Sequence, residues 1–141
     1  ICYLDLDGFK PVNDRRGHAA GDELLKEVAV RLQSCVRAND TVCRLGGDEF
    51  VLMLTGLEQP DEHDSVVQRI IDEIGKPFAI GDDGSATVTV TASIGVTLFP
   101  QDGGDADTLM RHADHAMYLA KSLGRNRVCR YMPARQGSSI Q

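Results

Sequence analysis

Two pairs of carboxylates follow strand-like segments and could together hold a metal ion. Asp5 and Asp7 close an apolar run at the start of the chain, and Asp48 and Glu49 follow two glycines between two further apolar runs. If these strands are neighbours, the carboxylates meet at one edge of a sheet. Carboxylates held together repel one another unless a cation lies among them, and ligands made only of oxygen suit Mg²⁺ or Mn²⁺. The sequence therefore predicts a divalent-cation site.

The two glycines predict a hairpin that displays the second carboxylate pair. Residues 41–45 and 50–54 have the composition of strands, and glycine takes positive φ without a Cβ clash. The turn then carries Asp48 and Glu49 at its tip or rim, and the missing side chains at Gly46 and Gly47 leave room for a bulky ligand against the backbone. The alternative is a polar hairpin tip that binds nothing.

The elements around these residues alternate between strand and helix. Besides the hairpin, we predict strands at residues 1–6, 78–80, 87–98 and 126–131. We predict helices that begin near Pro11, span residues 20–36, span residues 66–74 and run from about residue 105 to Gly124. Such an alternation predicts a mixed sheet with helices packed on it. Residues 132–141 have no apolar pattern and are interpreted as a tail or linker.

Composition limits the classes of partner and compartment. A chain of 141 residues with 42% hydrophobic residues can form one domain with a buried core, and its net charge of −6 argues against a general DNA or RNA surface, though not against a nucleotide. Four cysteines without a C-x-x-C pair favour reduced thiols and a cytoplasmic location. The chain begins inside a strand, so we expect a fragment of a longer protein, which leaves room for a membrane tether elsewhere.

A series of short blocks accompanies the hairpin motif Gly46-Gly-Asp-Glu-Phe50. The blocks are Asp5-Leu-Asp-Gly-Phe-Lys10, Asn13-Asp14, Gly17-His18, Gly21-Asp-Glu-Leu-Leu25, Ser93-Ile-Gly-Val96, Ala113-Asp-His-Ala-Met-Tyr-Leu-Ala-Lys121 and Gly124-Arg-Asn126. In this order they resemble the GGDEF domains, the diguanylate cyclases, over nearly all of residues 1–131. The resemblance implies an α/β (α+β) fold. It has a mixed, mainly antiparallel central sheet flanked by helices, as in nucleotidyl cyclases and the palm of nucleotide polymerases.

The resemblance implies a nucleotidyltransferase that condenses two GTP molecules into cyclic di-GMP with release of pyrophosphate. It implies that Asp5, Asp48 and the Leu6 carbonyl hold Mg²⁺ (or Mn²⁺), and that Glu49 holds a second ion or assists deprotonation. A metal pair can stabilise both the attacking and the leaving oxygen of such a reaction. Asp48 and Glu49 are the predicted catalytic residues. Because each domain carries one GTP, a homodimer is expected.

The resemblance also implies a triphosphate site made of backbone N–H groups and cations. The N–H groups are those of Asp7, Gly8 and Phe9, a nest that Gly8 opens to close approach. The cations are Lys10, Lys121 and Arg125. By themselves, Lys121 and Arg125 would equally be a solvated i, i+4 pair that favours a helix C-terminus.

Guanine selection falls to Asn13 and Asp22 by the same resemblance. An Asp carboxylate can accept from guanine N1–H and N2–H₂, and an Asn amide can bond to O6 or N3, whereas adenine offers a different pattern. An adenylate-type cyclase would therefore require a different base pocket. Local alternatives are a helix-initiating role for Asn13 and a favourable helix charge for Asp22.

A regulatory site is expected at Arg37-x-x-Asp40. In the similar family, an Arg-x-x-Asp at this distance before the hairpin binds the product and inhibits the enzyme, and Arg69 lies where a third contributor is often found. Arg37 could grip guanine O6 and N7, or a phosphate, bidentately. The local alternative is an ion pair at a helix end, which contributes little.

A rival function is a non-catalytic receptor for cyclic di-GMP or GTP that signals to a partner. Receptors in the similar family usually lose the hairpin carboxylates, and here both remain. One departure is the absence of the helix and the Asp-x-Leu-Thr-type segment that usually precede the first strand. These parts couple the domain to an upstream sensor and help dimers form, so we expect a folded but weakly active domain.

Overall fold

The computed structural model describes residues 1–59, 61–81, 84 and 86–133, and within them it defines seven strands and four helices. The strands are β1 (Cys2–Asp7), β2 (Thr41–Gly46), β3 (Glu49–Met53), β4 (Phe78–Ile80), β5 (Ala86–Val88), β6 (Thr91–Val96) and β7 (Arg127–Arg130). The helices are α1 (Phe9–Arg16), α2 (His18–Cys35), α3 (Glu62–Ile74) and α4 (Ala106–Ser122).

Five strands form the central sheet in the order β2-β3-β1-β6-β7. The β2–β3, β3–β1 and β1–β6 pairs are antiparallel, and only the β6–β7 pair of this sheet is parallel. The sheet is therefore mixed and mainly antiparallel, and helices flank it, so the predicted fold class is confirmed. The first strand of the chain lies at the centre of the sheet, where β3 and β6 cover both of its edges.

Side chains on β1 alternate between two different environments. Cys2, Leu4 and Leu6 are buried in the main apolar core, which they share with residues of α2 and α3. Because successive side chains of a strand point to opposite faces, Tyr3, Asp5 and Asp7 face the other side of the sheet. One face of β1 thus holds the fold together, and the other carries polar groups.

Helix α4 packs against β6 and β1, and its backbone comes very close to β6 at Gly95. A Cβ atom at Gly95 of β6 would overlap the backbone oxygen of Ala113 and the backbone nitrogen of Met117 in α4. Glycine is the residue that allows such an approach of two backbones. Gly95 therefore allows the middle of α4 to lie directly against the sheet.

The single strand predicted over residues 87–98 is wrong, because the chain forms two strands there. Ala86–Val88 is β5, which pairs with β4 in a separate two-stranded sheet, and Thr91–Val96 is β6 of the central sheet. Val88 and Val90 are both buried, so the alternation continues through the break between the strands. Alternation reports which side chains are buried and does not report which strand they pair with.

Smaller differences concern the ends of elements. Helix α1 begins at Phe9, before the predicted Pro11, and α2 begins at His18, before the predicted Ala20. A hydrogen bond of 3.0 Å from the Gly84 N–H to the Gly81 oxygen closes the predicted turn after β4, whose middle residues lie outside the described part of the chain. Of the predicted tail, residues 134–141 also lie outside it. No helix in the described ranges is long and apolar enough to cross a bilayer.

Candidate active site

The ends of β1 and the hairpin meet at one edge of the central sheet. The antiparallel register places Asp5 directly opposite Glu49, and the Leu6 N–H donates to the backbone oxygen of Asp48 at 3.1 Å. Two acidic segments more than 40 residues apart in the chain are therefore neighbours, as the sequence predicts.

Asp5 is buried, 8% exposed, and its two oxygens have different surroundings. The Lys121 ammonium of α4 lies 2.6 Å from Oδ2, whereas Oδ1 is buried without a hydrogen-bond partner. Burial raises the pKa of the Asp5 carboxyl, the Lys121 ammonium lowers it, and the neighbouring Asp48 carboxylate raises it again, so that the pKa stands above its ordinary value. The Asp5 carboxylate is thus held at a place where its charge is only partly compensated.

Glu49 is oriented by a residue that the sequence analysis missed. The Tyr3 hydroxyl donates to Glu49 Oε1 at 3.1 Å. Burial, followed by the Glu49 carboxylate, raises the pKa of Tyr3 to about 12, so the phenol remains a donor at neutral pH. Tyr3 stands two residues before Asp5 in β1, and this period-2 spacing was the signal that could have found it.

The chain positions these acidic groups without gathering them into one cluster. In the described residues, no group of three or more His, Cys, Asp and Glu side chains lies close enough to hold a metal ion. The expected set of Asp5, Asp48 and Glu49 is therefore not assembled, because Asp5 faces Lys121 and Glu49 faces Tyr3. The donor chemistry nevertheless fits a hard divalent cation, since carboxylate and carbonyl oxygens are available and the buried Asp5 Oδ1 lacks the partner that a cation would supply.

The loop after β1 has the geometry of an anion site. Gly8 is left-handed, with φ 83° and ψ 9°, and is the N-cap residue of α1, where no side chain caps the helix and no acidic residue occupies its first turn. The predicted N–H groups of Gly8 and Phe9 therefore begin a helix, whose N-terminus favours negative charge. Lys10 is exposed beside them.

The glycines at this edge leave open space. A Cβ atom at Gly8, Gly46 or Gly47 would meet nothing within 4 Å. Gly46 and Gly47 have φ values of 154° and 52°, and the Arg44 Nε donates to the Gly47 oxygen at 3.0 Å, which supports the turn. The predicted room for a ligand against the hairpin backbone is therefore present.

The Asp7 side chain has a role that differs from the predicted backbone contact. Asp7 is buried and accepts hydrogen bonds from the hydroxyls of Thr91 and Ser93, both at 2.8 Å, and from the Asn126 N–H at 3.1 Å. Asp7 therefore ties β1 to β6 and to the turn after α4. The alternating Thr and Ser of β6 were a visible sequence signal for these partners.

Two of the three predicted triphosphate cations reach the same edge, Lys121 from the last turn of α4 and Arg125 from the turn that follows. Arg125 and Asn126 have positive φ values of 64° and 51°, a conformation that few residues other than glycine adopt. The Arg125 N–H donates to the Ala120 oxygen at 3.0 Å, and Arg125 Nε lies 3.9 Å from Asp7 Oδ1. The Lys121 ammonium forms an ion pair with Asp5. The alternative of a merely solvated pair is therefore wrong for Lys121.

The predicted guanine-binding residues lie where α1 meets α2. The Asn13 side chain rests against Gly21, where a Cβ atom would overlap Asn13 Oδ1. Asn13 Nδ2 also lies 3.2 Å from Nδ1 of His18, which orients the amide. Asp22 follows Gly21 directly and is exposed. The fold thus brings Asn13 next to the turn of α2 that carries Asp22.

Residues 1–127 match the family model described as "Diguanylate cyclase, GGDEF domain". This chain belongs to the GGDEF family. It is 46% identical over 129 residues to the bifunctional diguanylate cyclase/cyclic di-GMP phosphodiesterase MucR of Pseudomonas aeruginosa, covering 92% of this chain and 18% of MucR. It is 39% identical over 133 residues to the cyclic di-GMP phosphodiesterase PdeR of Escherichia coli, covering 94% of this chain and 20% of PdeR. The chain thus spans about a fifth of the length of these relatives.

A solved structure agrees with the family assignment. The crystal structure of the GGDEF domain of TpbB (YfiN) from Pseudomonas aeruginosa is similar with a TM-score of 0.89 and 36% identity. The similarity covers 94% of this chain and 81% of that one. The mixed sheet and its helices are therefore those of a GGDEF domain.

The GGDEF domain carries its predicted regulatory residues in a separate cleft. Arg37, Asp40 and Arg69 line a cleft of about 300 Å³ between α2, α3 and the end of β3. The Asp40 carboxylate accepts the N–H groups of Arg37 and Thr55 at 2.8 and 2.9 Å. Arg37 Nη2 donates to the Thr55 oxygen at 2.9 Å, and Arg69 Nη1 donates to the Cys35 oxygen at 3.3 Å. Asp40 is therefore held by backbone N–H groups, and the alternative of a simple Arg37–Asp40 ion pair is wrong.

A larger and more apolar cavity of this GGDEF domain lies beside that cleft, since Leu54 and Leu57 line both. It measures about 590 Å³ and is lined by Ile1 and Phe99, at the opposite end of β1 from Asp5. It contains none of the predicted site residues. Chemistry, and not cavity size, therefore identifies the candidate active site.

Proposed function

We propose that this GGDEF domain is a diguanylate cyclase that condenses two GTP molecules into cyclic di-GMP and two pyrophosphates, with Mg²⁺ (or Mn²⁺) as cofactor. The observation that carries the proposal is the β1–β3 register, which places Asp5 opposite Glu49 of the intact hairpin while one buried oxygen of Asp5 lacks a partner. The family membership and the diguanylate cyclase activity in the name of MucR support it.

Asp5, Asp48 and the Leu6 carbonyl would hold one ion, and Glu49 would hold a second ion or take up the proton of the attacking hydroxyl. When bound, the ions would stabilise the charge on the attacking and leaving oxygens. The chain's own part is to orient these ligands. Tyr3 holds Glu49 through a hydrogen bond, and the β1–β3 register holds Asp5 beside it.

The triphosphate would lie along the N-terminus of α1, where Gly8 allows the backbone to approach. The N–H groups at the helix start favour an anion, and Lys121 and Arg125 approach the same edge from α4 and the following turn. Asn13 and Asp22 would select guanine at the junction of α1 and α2. This arrangement provides one substrate site per domain.

Two domains must therefore face each other, because each cyclic di-GMP needs two GTP molecules. We expect the rate per domain to rise with protein concentration until the homodimer saturates. The measurement is the initial rate over a dilution series. A rate per domain that stays constant on dilution, in a domain that is monomeric by light scattering, contradicts the homodimer.

The decisive experiment incubates the purified domain with GTP and Mg²⁺ and identifies the product by mass. Because Asp48 would ligate the metal, Asp48→Ala should lower turnover at least about a hundredfold while leaving the circular dichroism spectrum unchanged. Glu49→Ala should behave similarly. The matched control is Glu27→Ala, which removes an exposed carboxylate of α2 away from the site. Unchanged product formation in the Asp48→Ala domain contradicts the assignment.

We also propose that product binds in the cleft of Arg37, Asp40 and Arg69 and inhibits the enzyme. Asp40 is satisfied by backbone N–H groups, so the guanidinium groups are the ones that could bind guanine or phosphate. In the longer protein, a domain upstream would supply the signal.

A receptor function is the second candidate, and the similarity to the phosphodiesterase PdeR favours it. In that case the domain would bind GTP or cyclic di-GMP and act on a partner domain without turnover. Calorimetry with cyclic di-GMP and with GTP separates the two candidates when it is combined with the product assay. Binding without product in conditions where dimers form supports the receptor.

A further inference from the structure

Lys121 lies on the carboxylate that the proposed metal site needs. Its ammonium is 2.6 Å from Asp5 Oδ2, and only 26% of the Lys121 side chain and 12% of the Asp5 side chain are exposed. A short ion pair with so little solvent access is a specific contact, unlike the mobile pairs of an exposed surface. Lys121 therefore already supplies a positive charge at this place.

The contact leaves Asp5 half satisfied. Oδ1 remains buried without a hydrogen-bond partner while Oδ2 takes the ammonium. A single ammonium compensates one of two nearby carboxylates, Asp5 and Asp48, whose mutual repulsion contributes to the raised pKa of Asp5. The protein thus holds the pair of acids with a weaker counter-ion than a divalent cation would be.

We propose that Lys121 is a placeholder cation, which occupies Asp5 in the free domain and transfers to the triphosphate when the nucleotide arrives. This inference rests on the proposed function, since it takes Asp5 as a metal ligand. An ammonium and a divalent cation repel each other at one carboxylate, so the metal binds weakly until Lys121 has an anion to move to. The nucleotide and the metal then bind cooperatively.

The side chain is suited to such a transfer. Lysine has a flexible four-carbon stem and three rotatable donors, so it can change partners without moving the helix. Arg125 differs, because it neighbours Asp7, whose oxygens are already bonded to Thr91, Ser93 and the Asn126 N–H. Lys121 is therefore the cation whose partner is also a predicted metal ligand.

The experiment measures Mn²⁺ binding by electron paramagnetic resonance to the whole domain without nucleotide. The Lys121→Met domain should bind Mn²⁺ about tenfold more tightly than the wild type. This size lies between the effect expected for an exposed ion pair and that expected for a buried one. Lys121→Arg keeps the charge and should remain weak. Arg125→Met is the matched control, since it removes a cation beside Asp7, and it should tighten Mn²⁺ binding much less.

The second half of the experiment adds a non-hydrolysable GTP analogue. The wild type should now bind Mn²⁺ far more tightly than without the analogue, whereas Lys121→Met should gain less and should bind the analogue more weakly. Asp5→Asn should lose the tight Mn²⁺ binding in both conditions. Opposite effects of one substitution on metal and nucleotide are the signature of a placeholder.

The outcomes separate the placeholder from the function on which it rests. If Mn²⁺ binds through Asp5 but Lys121→Met binds it no more tightly than Arg125→Met, the placeholder is overturned and the cyclase proposal stands. If Asp5→Asn leaves Mn²⁺ binding unchanged with the analogue present, the metal site itself is wrong, and both proposals fall.

Discussion

Asp5 belongs to the candidate active site and Asp40 to the cleft that Arg37 and Arg69 also line, and the surroundings of the two carboxylates are opposite. In the acidic site, Asp5 has a buried oxygen without a partner, and its pKa is raised by burial and by Asp48, against the opposing effect of Lys121. In the second cleft, both oxygens of Asp40 accept backbone N–H groups. Burial opposes ionisation of Asp40, but these bonds and the Arg37 guanidinium outweigh it and lower its pKa.

The difference shows which groups of each cleft are available to a ligand. A carboxylate with an unsatisfied buried oxygen gains from a cation, so in the candidate active site the acids themselves are the proposed binding groups. A carboxylate satisfied by the backbone stabilises a loop, so in the cleft of Arg37, Asp40 and Arg69 we expect Asp40 to shape the site and the arginines to bind the proposed ligand. The same residue type is thus proposed for two functions, and its hydrogen bonds and neighbouring charges distinguish them.

The largest expected effect comes from Asp5→Asn, which should lower turnover at least about a hundredfold because a proposed metal ligand is lost. It should also stabilise the fold by about 1 kcal/mol, since a buried charge with incomplete compensation is removed. The check is urea unfolding at neutral pH together with the product assay. If the substitution lowered both turnover and stability, Asp5 would be a carboxylate that stabilises the fold, as we expect for Asp40, and the contrast between them would be wrong.

Asp7→Asn is the matched control for that prediction, because Asp7 lies two residues further on the same face of β1. Its carboxylate accepts three hydrogen bonds, so the substitution should destabilise the fold by about 2 kcal/mol.

The pH dependence of the wild-type free energy of unfolding should reflect the raised pKa of Asp5. Because folding raises that pKa, the wild type loses stability as pH rises through the raised value, and Asp5→Asn should lack this loss.

A second prediction concerns the packing of α4, the helix that carries Lys121, against β6. Gly95→Ala should destabilise the domain by about 3 kcal/mol, because the new methyl group would overlap the backbone of α4 and push the helix away. Gly104→Ala is the control, since a Cβ atom there meets nothing within 4 Å. The measurement is the urea midpoint of both variants. Equal midpoints would mean that α4 does not lie as close to β6 as described.

How far the sequence predicts the fold depends on which physical signal each element leaves. The hairpin at Gly46–Gly47 and the helix stripes leave local signals, and both were predicted. The break between β5 and β6 leaves none, because Val88 and Val90 are buried alike although only one of them lies in a strand. Strand pairing is a long-range property, and a local pattern does not contain it.

The candidate site shows the same limit at the level of side chains. Asp5, Asp48 and Glu49 could be named from their spacing and from a family resemblance. The contacts of Tyr3 with Glu49 and of Lys121 with Asp5 could be recognised only once the strand register and the position of α4 on the sheet were known. These contacts join residues 46 and 116 positions apart, so the proposed ligands could be named from the sequence, whereas the hydroxyl and the ammonium that contact them could not.

The third prediction tests whether arginines are the binding groups of the second cleft. Arg37→Met should raise the inhibition constant of cyclic di-GMP about tenfold, the loss of one bidentate contact. Lys26→Met, which removes an exposed cation of α2, is the control. Rates with and without added product give the constant. An unchanged constant in the Arg37→Met domain would remove the second cleft from the inhibition scheme.

The smallest expected effect belongs to Asp40→Asn, and it completes the comparison because its sign is opposite to that of Asp5→Asn. Since folding lowers the pKa of Asp40 below its ordinary 3.8, ionised Asp40 stabilises the fold above that pH, and the contribution is lost as pH falls through the lowered value. The variant should therefore be about 1 kcal/mol less stable at neutral pH, with a gap that narrows in acid. Urea midpoints measured from pH 7 down to about pH 3 would show the narrowing. If the difference in stability between the wild type and Asp40→Asn did not change with pH, the loop would depend on the shape of Asp40 and not on its charge. The contrast between Asp5 and Asp40 would then be one of packing.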